Sequence, residues 1–464
     1  MAEARAVFLE GNLFRHITVM ALTSSVGLMA VFAVDFIDMI FISMLGNAEL
    51  AAAVGYAGAI LFFTTSFGIG MAIAAGALVA RALGQGDAEL AKAQSAAAVV
   101  WGVVFGVLFA TMVWVNIEPL AALMGATDET LDLAVLYLQI IIPSLPFLIV
   151  GMVGGAILRA HGDARRAMMA TIYAGLVNAV LDPILIFGLG LDLTGAALAS
   201  VAARLVMAAT ALIPIFRHHG GLVRPGIPEL SIALPPIATI ALPAILTQLA
   251  SPLGQAVVTR AMANFGEAAV AGMAIVGRMT PVAFGVIFAL SGAIGPVIGQ
   301  NFGAGQMDRV RQAYRDGIVF CAIFTVAMTG LLFVLREPII SLFGADGVTR
   351  DLLVLFCGPL ALAFFFSGVI YVSNAAFNNM GHPFRSTAIN WGLHTVGTIP
   401  LVFAGASLFG AAGVLIGQAL AGVIFAGVAT LMVRRMMNRE APSSSPVEPF
   451  DREARLMSLM HRRR

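Results

Sequence analysis

The sequence predicts an all-α integral membrane protein, with twelve transmembrane helices in two pseudo-symmetric six-helix lobes. Three observations lead to this prediction. Of 464 residues, 60% are hydrophobic and only 11% are charged, whereas soluble domains carry about 25% charged residues. The apolar residues form long runs that short polar breaks separate. The second half of the chain repeats features of the first half, so the twelve runs divide into two sets of six.

Each apolar run is long enough to cross a bilayer, since a spanning helix needs about 20 residues. The first run lacks a small-residue cleavage pattern after its apolar core, so it is expected to be a retained helix and not a signal peptide. The runs of the first half lie near 14–44, 50–80, 93–117, 131–158, 167–188 and 195–216. Those of the second half lie near 232–264, 269–299, 313–335, 351–377, 386–405 and 410–433.

The repeat becomes visible when the chain is shifted against itself by 219 residues. Gly84 then falls on Gly303 and Gly162 on Gly381, together with further identities at helix ends. Because six helices return the chain to the side where it started, the halves form a parallel repeat. In transporters such repeats place the substrate site between the halves, which rock to give alternating access. The predicted parts are a first lobe at 1–216, a cytoplasmic connecting loop at 217–231, a second lobe at 232–433 and a polar tail at 434–464.

Basic residues predict the orientation. Of the 26 basic residues, 21 lie in the segments on one side of the predicted spans, whereas the loops on the other side hold only Arg336 and Arg350. The positive-inside rule therefore places both termini in the cytoplasm, and we expect a bacterial-type inner membrane. Membrane lipid is the expected surrounding, with no nucleic-acid partner and no evident protein partner. Cys321 and Cys357 lie in apolar runs and are expected to be packing residues.

Three carboxylates fall well inside predicted spans, at least six residues from the nearest span end, where an ionised group is costly and indicates function. They are Asp35, Asp38 and Asp182. Counting from the outer helix ends places Asp38 and Asp182 about six residues, or roughly 9 Å, below the outer edge. Ser200 lies at the same depth, and Asn178 lies one turn from Asp182 on the same helical face. Three helices are thus expected to present oxygen ligands at one level.

Two interpretations of this cluster remain open. In one, the polar side chains are structural hydrogen-bonding groups, with Arg204 as a counter-ion. In the other, they form a cation-coupling site, because like charges raise each other's pKa and allow a proton to exchange near neutral pH. Hard oxygen donors would equally suit Na⁺ at the same cluster. Pro183 lacks a backbone donor and favours a local bend directly after Asp182.

The absence of several catalytic and nucleotide-binding motifs argues against other classes of function. The sequence contains no phosphate-binding glycine loop, metalloprotease helix or nucleophile elbow, so we expect no enzyme and no cofactor. His218 and His219 have no cysteine or carboxylate at metal-ligand spacing, and no separate metal site is expected. His394 is expected to be a packing residue. An ion gradient or another subunit must therefore supply the energy for transport.

Several stretches resemble the multidrug and toxic compound extrusion (MATE) family. They are the first-helix segment 34–42, the segment from Gly162 through Asn178 and Asp182 to Ser200, and the Gly-Gln-Asn-Phe-Gly segment beginning at Gly299. The resemblance implies a twelve-helix, two-lobe antiporter that exports organic cations and drugs in exchange for H⁺ or Na⁺. It also implies that Asp38, Asn178, Asp182 and Ser200 form the cation site of the N-terminal lobe.

The sequence departs from the family at two places. Members with a second acidic cluster coordinate Na⁺ in helices 7 and 10, where this chain has Ser251 and Ser373 without a carboxylate. The helix 1 proline of the family is replaced by Thr23. The expected substrates are small amphipathic organic cations. The alternatives are a lipid-linked precursor flippase, for which Arg204, Arg260 and Arg278 are the available cations, and a channel or structural subunit.

Overall fold

The computed structural model describes residues 6–45 and 48–440, and these residues form helices without a single β-strand. The first half contains α1 (Leu13–Met44), α2 (Ala48–Gly84), α3 (Ala88–Val115), α4 (Ile117–Leu123), α5 (Asp128–Ile141), α6 (Leu145–Ala160), α7 (Ala164–Pro183) and α8 (Asp192–His218). The second half contains α9 (Ile227–Ala263), α10 (Glu267–Gly303), α11 (Met307–Leu342), α12 (Gly347–Leu355), α13 (Ala361–Asn379), α14 (Pro383–Gly392) and α15 (Thr398–Arg439). A 3₁₀ turn (Ile142–Ser144) and three π-helical turns (Ile184–Gly188, Phe356–Leu360 and Leu393–Gly397) join consecutive helices.

Within residues 6–45 and 48–440, eleven helical stretches are long and apolar enough to cross a membrane, and the last of them is long enough for two spans. This stretch runs from Pro383 to Arg439, and its backbone leaves helical geometry at Phe409 and Gly410. A Cβ atom on Gly405 would lie 2.1 Å from the carbonyl oxygen of Gly413, although eight residues of straight helix span about 12 Å. The helix therefore reverses direction, which restores the twelve predicted spans and confirms the predicted all-α membrane fold.

The sequence repeat reappears in the backbone. Gly86 and Gly305 occupy equivalent positions and have φ angles of 76° and 71°. Gly162 and Gly381, also equivalent, have φ angles of 81° and 84°. Glycine adopts such left-handed angles without the penalty that other residues incur. The repeated glycines thus mark equivalent tight turns after α2 and α10 and after α6 and α13.

Residue contacts divide the chain into two compact units. The first contains Thr23–Ile245, and the second contains Phe8–Leu22 together with the chain from Leu246 onward. The boundary between the units therefore lies within α9 and not in the predicted connecting loop. That loop is also shorter than the predicted segment 217–231, because α8 ends at His218 and α9 begins at Ile227. Of the predicted tail 434–464, α15 includes the beginning, and 441–464 lie outside the described residues.

Helix α6 forms the centre of the first unit. Its small residues face α8: a Cβ atom on Gly151 would lie 2.8 Å from Cγ of Met207, and one on Gly154 would lie 2.9 Å from Cβ of Ala211. Small residues let helices approach closely in a membrane, where packing and not water exclusion drives association. This close packing fixes the position of α8, which carries Ser200 and Arg204.

In the second unit, residues 8–12 form an N-terminal anchor. The backbone N–H of Phe8 donates to Oε1 of Gln300 at 2.8 Å, and its carbonyl oxygen accepts from Nδ2 of Asn301 at 3.1 Å and from Nη2 of Arg309 at 2.9 Å. Gln300 and Asn301 are fully buried. The Gly-Gln-Asn-Phe-Gly segment recognised in the sequence thus holds the chain that leads into α1.

We expect Arg309→Met to loosen the N-terminal anchor. The variant loses charge-assisted hydrogen bonds, each of which contributes about 1.5–3 kcal/mol, so amide exchange in residues 8–12 should accelerate at least about tenfold. Hydrogen exchange read by mass spectrometry measures this change. The control is Arg315→Met on the exposed face of the same helix. Equal protection of the segment in the parent protein and in both variants would contradict this description.

Candidate cation-binding site

The predicted cation site lies within the first unit, where α1 packs against α7 on both sides of Asp38. On one side, a Cβ atom on Gly175 would lie 3.0 Å from Cγ2 of Val34. On the other side, the rings of Phe41 and Phe187 meet edge to face with centroids 6.0 Å apart. These two contacts hold Asp38 toward α7, the helix that carries Asp182.

Asp182 lies at the end of α7, where the helical geometry changes. Pro183 follows it, and the chain continues in the π-helical turn Ile184–Gly188. A π turn of this kind is often found at functional sites. Gly195 of α8 packs directly against this turn, since a Cβ atom there would lie 2.7 Å from the backbone carbon of Leu185. The bend that Pro183 predicts is therefore present, and α8 lies tightly against it.

The carboxyl groups of Asp38 and Asp182 share a side-chain hydrogen bond. Two ionised carboxylates have acceptors but no donor, so this close approach needs a proton or another cation between them. Asp182 is 1% exposed, and the apolar surroundings make two adjacent negative charges costly. Among the described residues, Oδ1 of each carboxyl group finds no ordinary hydrogen-bond donor. A proton or another cation would satisfy both oxygens.

Asn178 completes one side of this pair. Its Nδ2 donates to Oδ2 of Asp182 at 3.1 Å, and its side chain is also buried. The one-turn spacing inferred from the sequence therefore produces a direct contact. Asp35 lies one turn before Asp38 on α1, within electrostatic range of Asp38, but its side chain is largely exposed.

Tyr137 is a site residue that the sequence analysis missed. Its phenol forms a side-chain hydrogen bond with Ser200 and lies within electrostatic range of Asp38, Asp182 and Arg204. The depth count would have found it, because Tyr137 lies six residues after the predicted start of the fourth span at 131. The sequence analysis followed the carboxylates and the polar residues of α7 and α8 at this depth, and it overlooked this phenol on α5, which is itself buried.

Arg204 does not pair with a carboxylate among the described residues. Its Nη1 donates to the carbonyl oxygen of Ile141 at 3.1 Å and to Oγ of Ser144 at 3.0 Å. The guanidinium group is thus held by the end of α5 and the turn that follows it, within electrostatic range of Tyr137. The role of Arg204 as a counter-ion of the carboxylates therefore stays a prediction.

The second unit contains no equivalent carboxylate pair in its described part. Ser373 is fully buried and bonded to the hydroxyl of Tyr314 at 3.0 Å, whereas Ser251 is exposed. No group of three or more His, Cys, Asp or Glu residues with metal-binding geometry occurs in residues 6–45 and 48–440. The His394 ring lies against α9, where a Cβ atom on Gly254 would be 2.3 Å from its Nδ1. Cys321 and Cys357 are buried free thiols.

The end of the first unit that is predicted to be cytoplasmic contains an ion-pair cluster around Asp163. Nε2 of His219 lies 3.1 Å from Oδ2 of Asp163, and Nη1 of Arg166 lies 2.5 Å from the same oxygen. Burial opposes ionisation, but the hydrogen bonds from His219 and Arg166 outweigh it and lower the pKa of Asp163 to about 2. His219 therefore has a carboxylate partner, which sequence spacing did not reveal. The cluster joins the beginning of α7 to the end of α8.

Burial also lowers the pKa of the neighbouring His161 to about 4, and proximity to His219 acts in the same direction. The two imidazole rings lie 4.6 Å apart. His161 is therefore neutral at physiological pH, and Arg166 provides a permanent positive charge next to Asp163.

Comparison with protein-family models assigns the chain to a family. The MatE family model matches residues 24–184 and 243–403. The chain belongs to the MatE family. The two matched segments begin 219 residues apart, the same offset that aligned the halves of the sequence, so each half of this MATE chain is one copy of the family unit.

Curated relatives and solved structures agree with this assignment. The chain is 30% identical over 403 residues to a protein of Shewanella oneidensis named FAD transporter, covering 86% of this chain and 89% of the relative. It is 27% identical to the multidrug export protein MepA of Staphylococcus haemolyticus, covering 93% and 96%.

Two solved structures share the fold. A crystal structure of the Vibrio cholerae MATE transporter VcmN has a TM-score of 0.87 at 24% identity, covering 92% of this chain and 97% of that one. A MOP superfamily transporter from Pyrococcus furiosus has a TM-score of 0.86 at 22% identity, covering 95% of this chain and 99% of that one. These similarities establish the fold alone.

We expect Asp163→Asn to destabilise the protein at neutral pH by on the order of 1–2 kcal/mol, because the depressed pKa reflects stabilisation of the charged form. Asparagine still caps a helix, so the substitution chiefly removes the charge. The stabilising effect is fully present above the unfolded pKa near 4 and disappears as the pH falls toward about 2. The thermal unfolding midpoint at pH 7 and pH 3 measures it.

The matched control is Asp308→Asn, which removes another Asp–Arg pair at the start of a helix, where the carboxylate is 99% exposed. It should change the midpoint little at either pH. Identical effects of the two substitutions at pH 7 would contradict the role assigned to the Asp163 cluster.

Proposed function

We propose that this chain exports small amphipathic organic cations from the cytoplasm by antiport against a monovalent cation. The coupling site consists of Asp38, Asp182, Asn178 and Ser200, with Asp35 at its edge, and Tyr137 joins them. One observation carries the proposal: two carboxyl groups contact each other inside an apolar helical unit, and an oxygen of each lacks an ordinary donor. Intramembrane ionisable pairs of this kind commonly bind the driving ion of a transporter.

The geometry favours H⁺ over Na⁺ as the coupling ion. A single proton between Asp38 and Asp182 completes their mutual hydrogen bond without any movement of the chain. A sodium ion would need several oxygen ligands around it, whereas Asn178 directs its Nδ2 donor and not its Oδ1 at Asp182. Loss of that proton leaves two adjacent carboxylates, which repel one another. This repulsion gives the protonated and deprotonated protein a reason to differ in conformation, as antiport by alternating access requires.

The driving force depends on the stoichiometry of exchange. A unit charge that crosses the membrane gains about 2.3 kcal/mol per 100 mV, and one pH unit contributes about 1.36 kcal/mol per proton. Exchange of one proton for one monovalent cation moves no net charge. The pH gradient alone would then drive export, whereas exchange of two protons would also use the membrane potential.

We expect Asp38→Asn and Asp182→Asn to reduce gradient-driven efflux at least about tenfold, since typical coupling between two ligands amounts to 5- to 150-fold. The measurement is efflux of a fluorescent organic cation from proteoliposomes, with pH and Na⁺ gradients imposed separately. Asp192→Asn is the control, because Asp192 is exposed at the beginning of α8. Asparagine also tolerates its left-handed backbone angle of 45°.

Efflux driven by the pH gradient alone supports H⁺ coupling, and efflux driven by Na⁺ alone identifies the same site as a sodium site. Parent-like transport by both carboxyl variants would overturn the proposed coupling site. Transport that ignores both gradients would instead favour a channel or a chain driven by a partner.

A second candidate substrate class comes from the Shewanella oneidensis relative, which is named FAD transporter and is 30% identical over 86% of this chain. Flavin adenine dinucleotide is an anion, so its export would use the same coupling site with a different substrate. If the chain exports flavins, cells that produce it should accumulate FAD in the medium, and Asp182→Asn should abolish the increase. Chromatography of the culture medium measures this, with efflux of the fluorescent cation in the same cells as the comparison.

FAD accumulation without export of the cation would replace the organic-cation proposal by the flavin proposal. The third possibility, a lipid-linked precursor flippase, is less well supported. Arg204 is bound to Ile141 and Ser144, and the side chains of Arg260 and Arg278 are exposed. None of these observations indicates a site for a pyrophosphate group.

A further inference from the structure

The second unit contains a cluster of neutral amide side chains that the proposed coupling site does not use. This amide cluster consists of Asn374 and Asn378 on α13 and of Ser386 and Asn390 on α14. Their relative exposures are 8%, 6%, 1% and 8%, so all four side chains are more than nine-tenths buried. Burial of an amide costs free energy unless its polar atoms are hydrogen-bonded. Each polar atom of the cluster therefore needs a partner.

Hydrogen bonds within the cluster use three of the six amide atoms. Nδ2 of Asn390 donates to Oδ1 of Asn374 at 3.1 Å and to the carbonyl oxygen of Ser386 at 2.8 Å. Oγ of Ser386 donates to Oδ1 of Asn378 at 3.2 Å. These bonds fix the orientation of all three amide groups.

The other three amide atoms have no hydrogen-bond partner among the described residues. They are Nδ2 of Asn374, Nδ2 of Asn378 and Oδ1 of Asn390. None of them belongs to the fully enclosed polar atoms, so each keeps some accessible surface. The cluster therefore offers two N–H donors and one carbonyl acceptor to a molecule from outside the unit.

Aromatic rings continue the same face of α13. Phe364, Tyr371 and Asn378 follow one another at seven-residue intervals, so they lie on one side of the helix. The ring of Phe288 on α10 lies 5.6 Å from that of Phe364 and 5.5 Å from that of Tyr371, measured between centroids. All three rings are partly exposed. Tyr371 lies one turn from Asn374, so a planar molecule at the cluster would find an aromatic surface directly beside it.

The amide cluster lies at the end of the second unit that is predicted to be cytoplasmic. Helix α13 ends at Asn379, directly after Asn378, and α14 begins at Pro383. The aromatic rings lie farther from this end, since Tyr371 and Phe364 precede the cluster on α13. In the predicted orientation, a molecule that enters from the cytoplasm meets the amide groups first and the rings second. This is the order that loading of an exported substrate requires.

We propose that the amide cluster recognises planar heteroaromatic substrates that carry an imide edge, in which two carbonyl oxygens flank one N–H group. The two donors and one acceptor of the cluster match the two acceptors and one donor of such an edge. Asn374 and Asn378 bind the carbonyl oxygens, Asn390 accepts from the N–H group, and Tyr371 stacks on the ring. This inference rests on the proposed export function and names a substrate class for it. Because the cluster is neutral, it selects by hydrogen bonding and shape and not by charge.

The experiment compares the binding of riboflavin and 3-methylriboflavin to the purified full-length protein, by fluorescence titration in detergent solution. The two flavins differ only in the imide N–H group, which a methyl group replaces in the second. The parent should bind riboflavin at least about fivefold more tightly, because the methylated ring leaves the buried Oδ1 of Asn390 unpaired. This comparison uses the unaltered protein and does not depend on the folding of a variant.

Asn374→Ala and Asn378→Ala each remove one donor and should weaken riboflavin binding about threefold to tenfold, the effect of one neutral hydrogen bond. The matched control is Asn379→Ala at the next position of α13. Asn379 is equally buried at 5% exposure, but its Nδ2 donates to the carbonyl oxygen of Ala375 at 2.9 Å and lies against Gly295 of α10. This variant should bind riboflavin like the parent, and thermal unfolding shows whether each variant is folded.

Tyr371→Leu separates stacking from recognition of the imide edge. Leucine keeps the apolar character of the side chain but removes its planar face. This variant should weaken the binding of both flavins by the same factor, so the preference for riboflavin remains. Asn374→Ala and Asn378→Ala should instead weaken the binding of riboflavin more than that of its methylated form, whose edge is already displaced.

Equal affinity of the parent for the two flavins would overturn the proposal, and so would the absence of saturable riboflavin binding to the folded parent. Either result would indicate that the cluster serves only helix packing. Equal losses in Asn378→Ala and Asn379→Ala would have the same meaning, since only one of these amides belongs to the cluster.

This binding measurement separates the inference from the proposed coupling function, because it requires no ion gradient. If efflux depends on Asp38 and Asp182 but the parent does not distinguish the two flavins, only the inference about the amide cluster fails. If the parent distinguishes the flavins but both carboxyl variants transport normally, the coupling proposal fails and the recognition site stands.

Discussion

The contact between two carboxyl groups in an apolar environment is the constraint around which the first unit is organised. Asp182 is almost completely buried and shares a hydrogen bond with Asp38, an arrangement that is stable only when a cation neutralises part of its charge. The features around it maintain that contact. Val34 and Phe41 pack α1 against α7, and the π turn after Pro183 ends α7 directly beyond the pair. Without such a cation, the carboxylates of Asp38 and Asp182 would repel each other.

The two units share a fold but not this chemistry. Their backbones repeat the same positive-φ glycines, and the family model matches both halves at the same offset. In the second unit, however, the buried polar groups that the structure describes are neutral. Asn374 and Asn390 bond to each other at 3.1 Å, and Ser373 bonds to Tyr314. Neutral groups of this kind can satisfy one another without an ion. The two units thus share a scaffold, and among the described residues the carboxylate pair occurs in one of them.

The sequence predicts the fold well because a bilayer leaves few choices. Spans must be apolar, about 20 residues long and internally hydrogen-bonded, so hydropathy alone located all twelve, with ends that differ from the observed helix ends by up to seven residues. It also placed Asp38, Asp182 and Asn178 together, since depth follows from counting residues along a straight helix. Tyr137 was missed because its role depends on a neighbour across the helix interface. The hydrogen-bond partners of Arg204 and His219 were missed for a related reason. A 3₁₀ turn and a loop determine these contacts, and neither has a regular residue spacing from which contacts can be counted.

The central claim is that Asp38 and Asp182 hold a cation. Binding of the substrate displaces this cation, because the cation site and the substrate site are coupled. The most direct measurement is the number of protons released when a fluorescent organic cation binds to the purified protein in weakly buffered detergent solution. If binding of the substrate competes with binding of protons, linkage requires that substrate binding releases protons. The account predicts release by the parent and none by the variant that lacks both carboxyl groups. Tight binding of the cation to the parent without any proton release, at every pH from 5 to 9 and without Na⁺, would contradict the account.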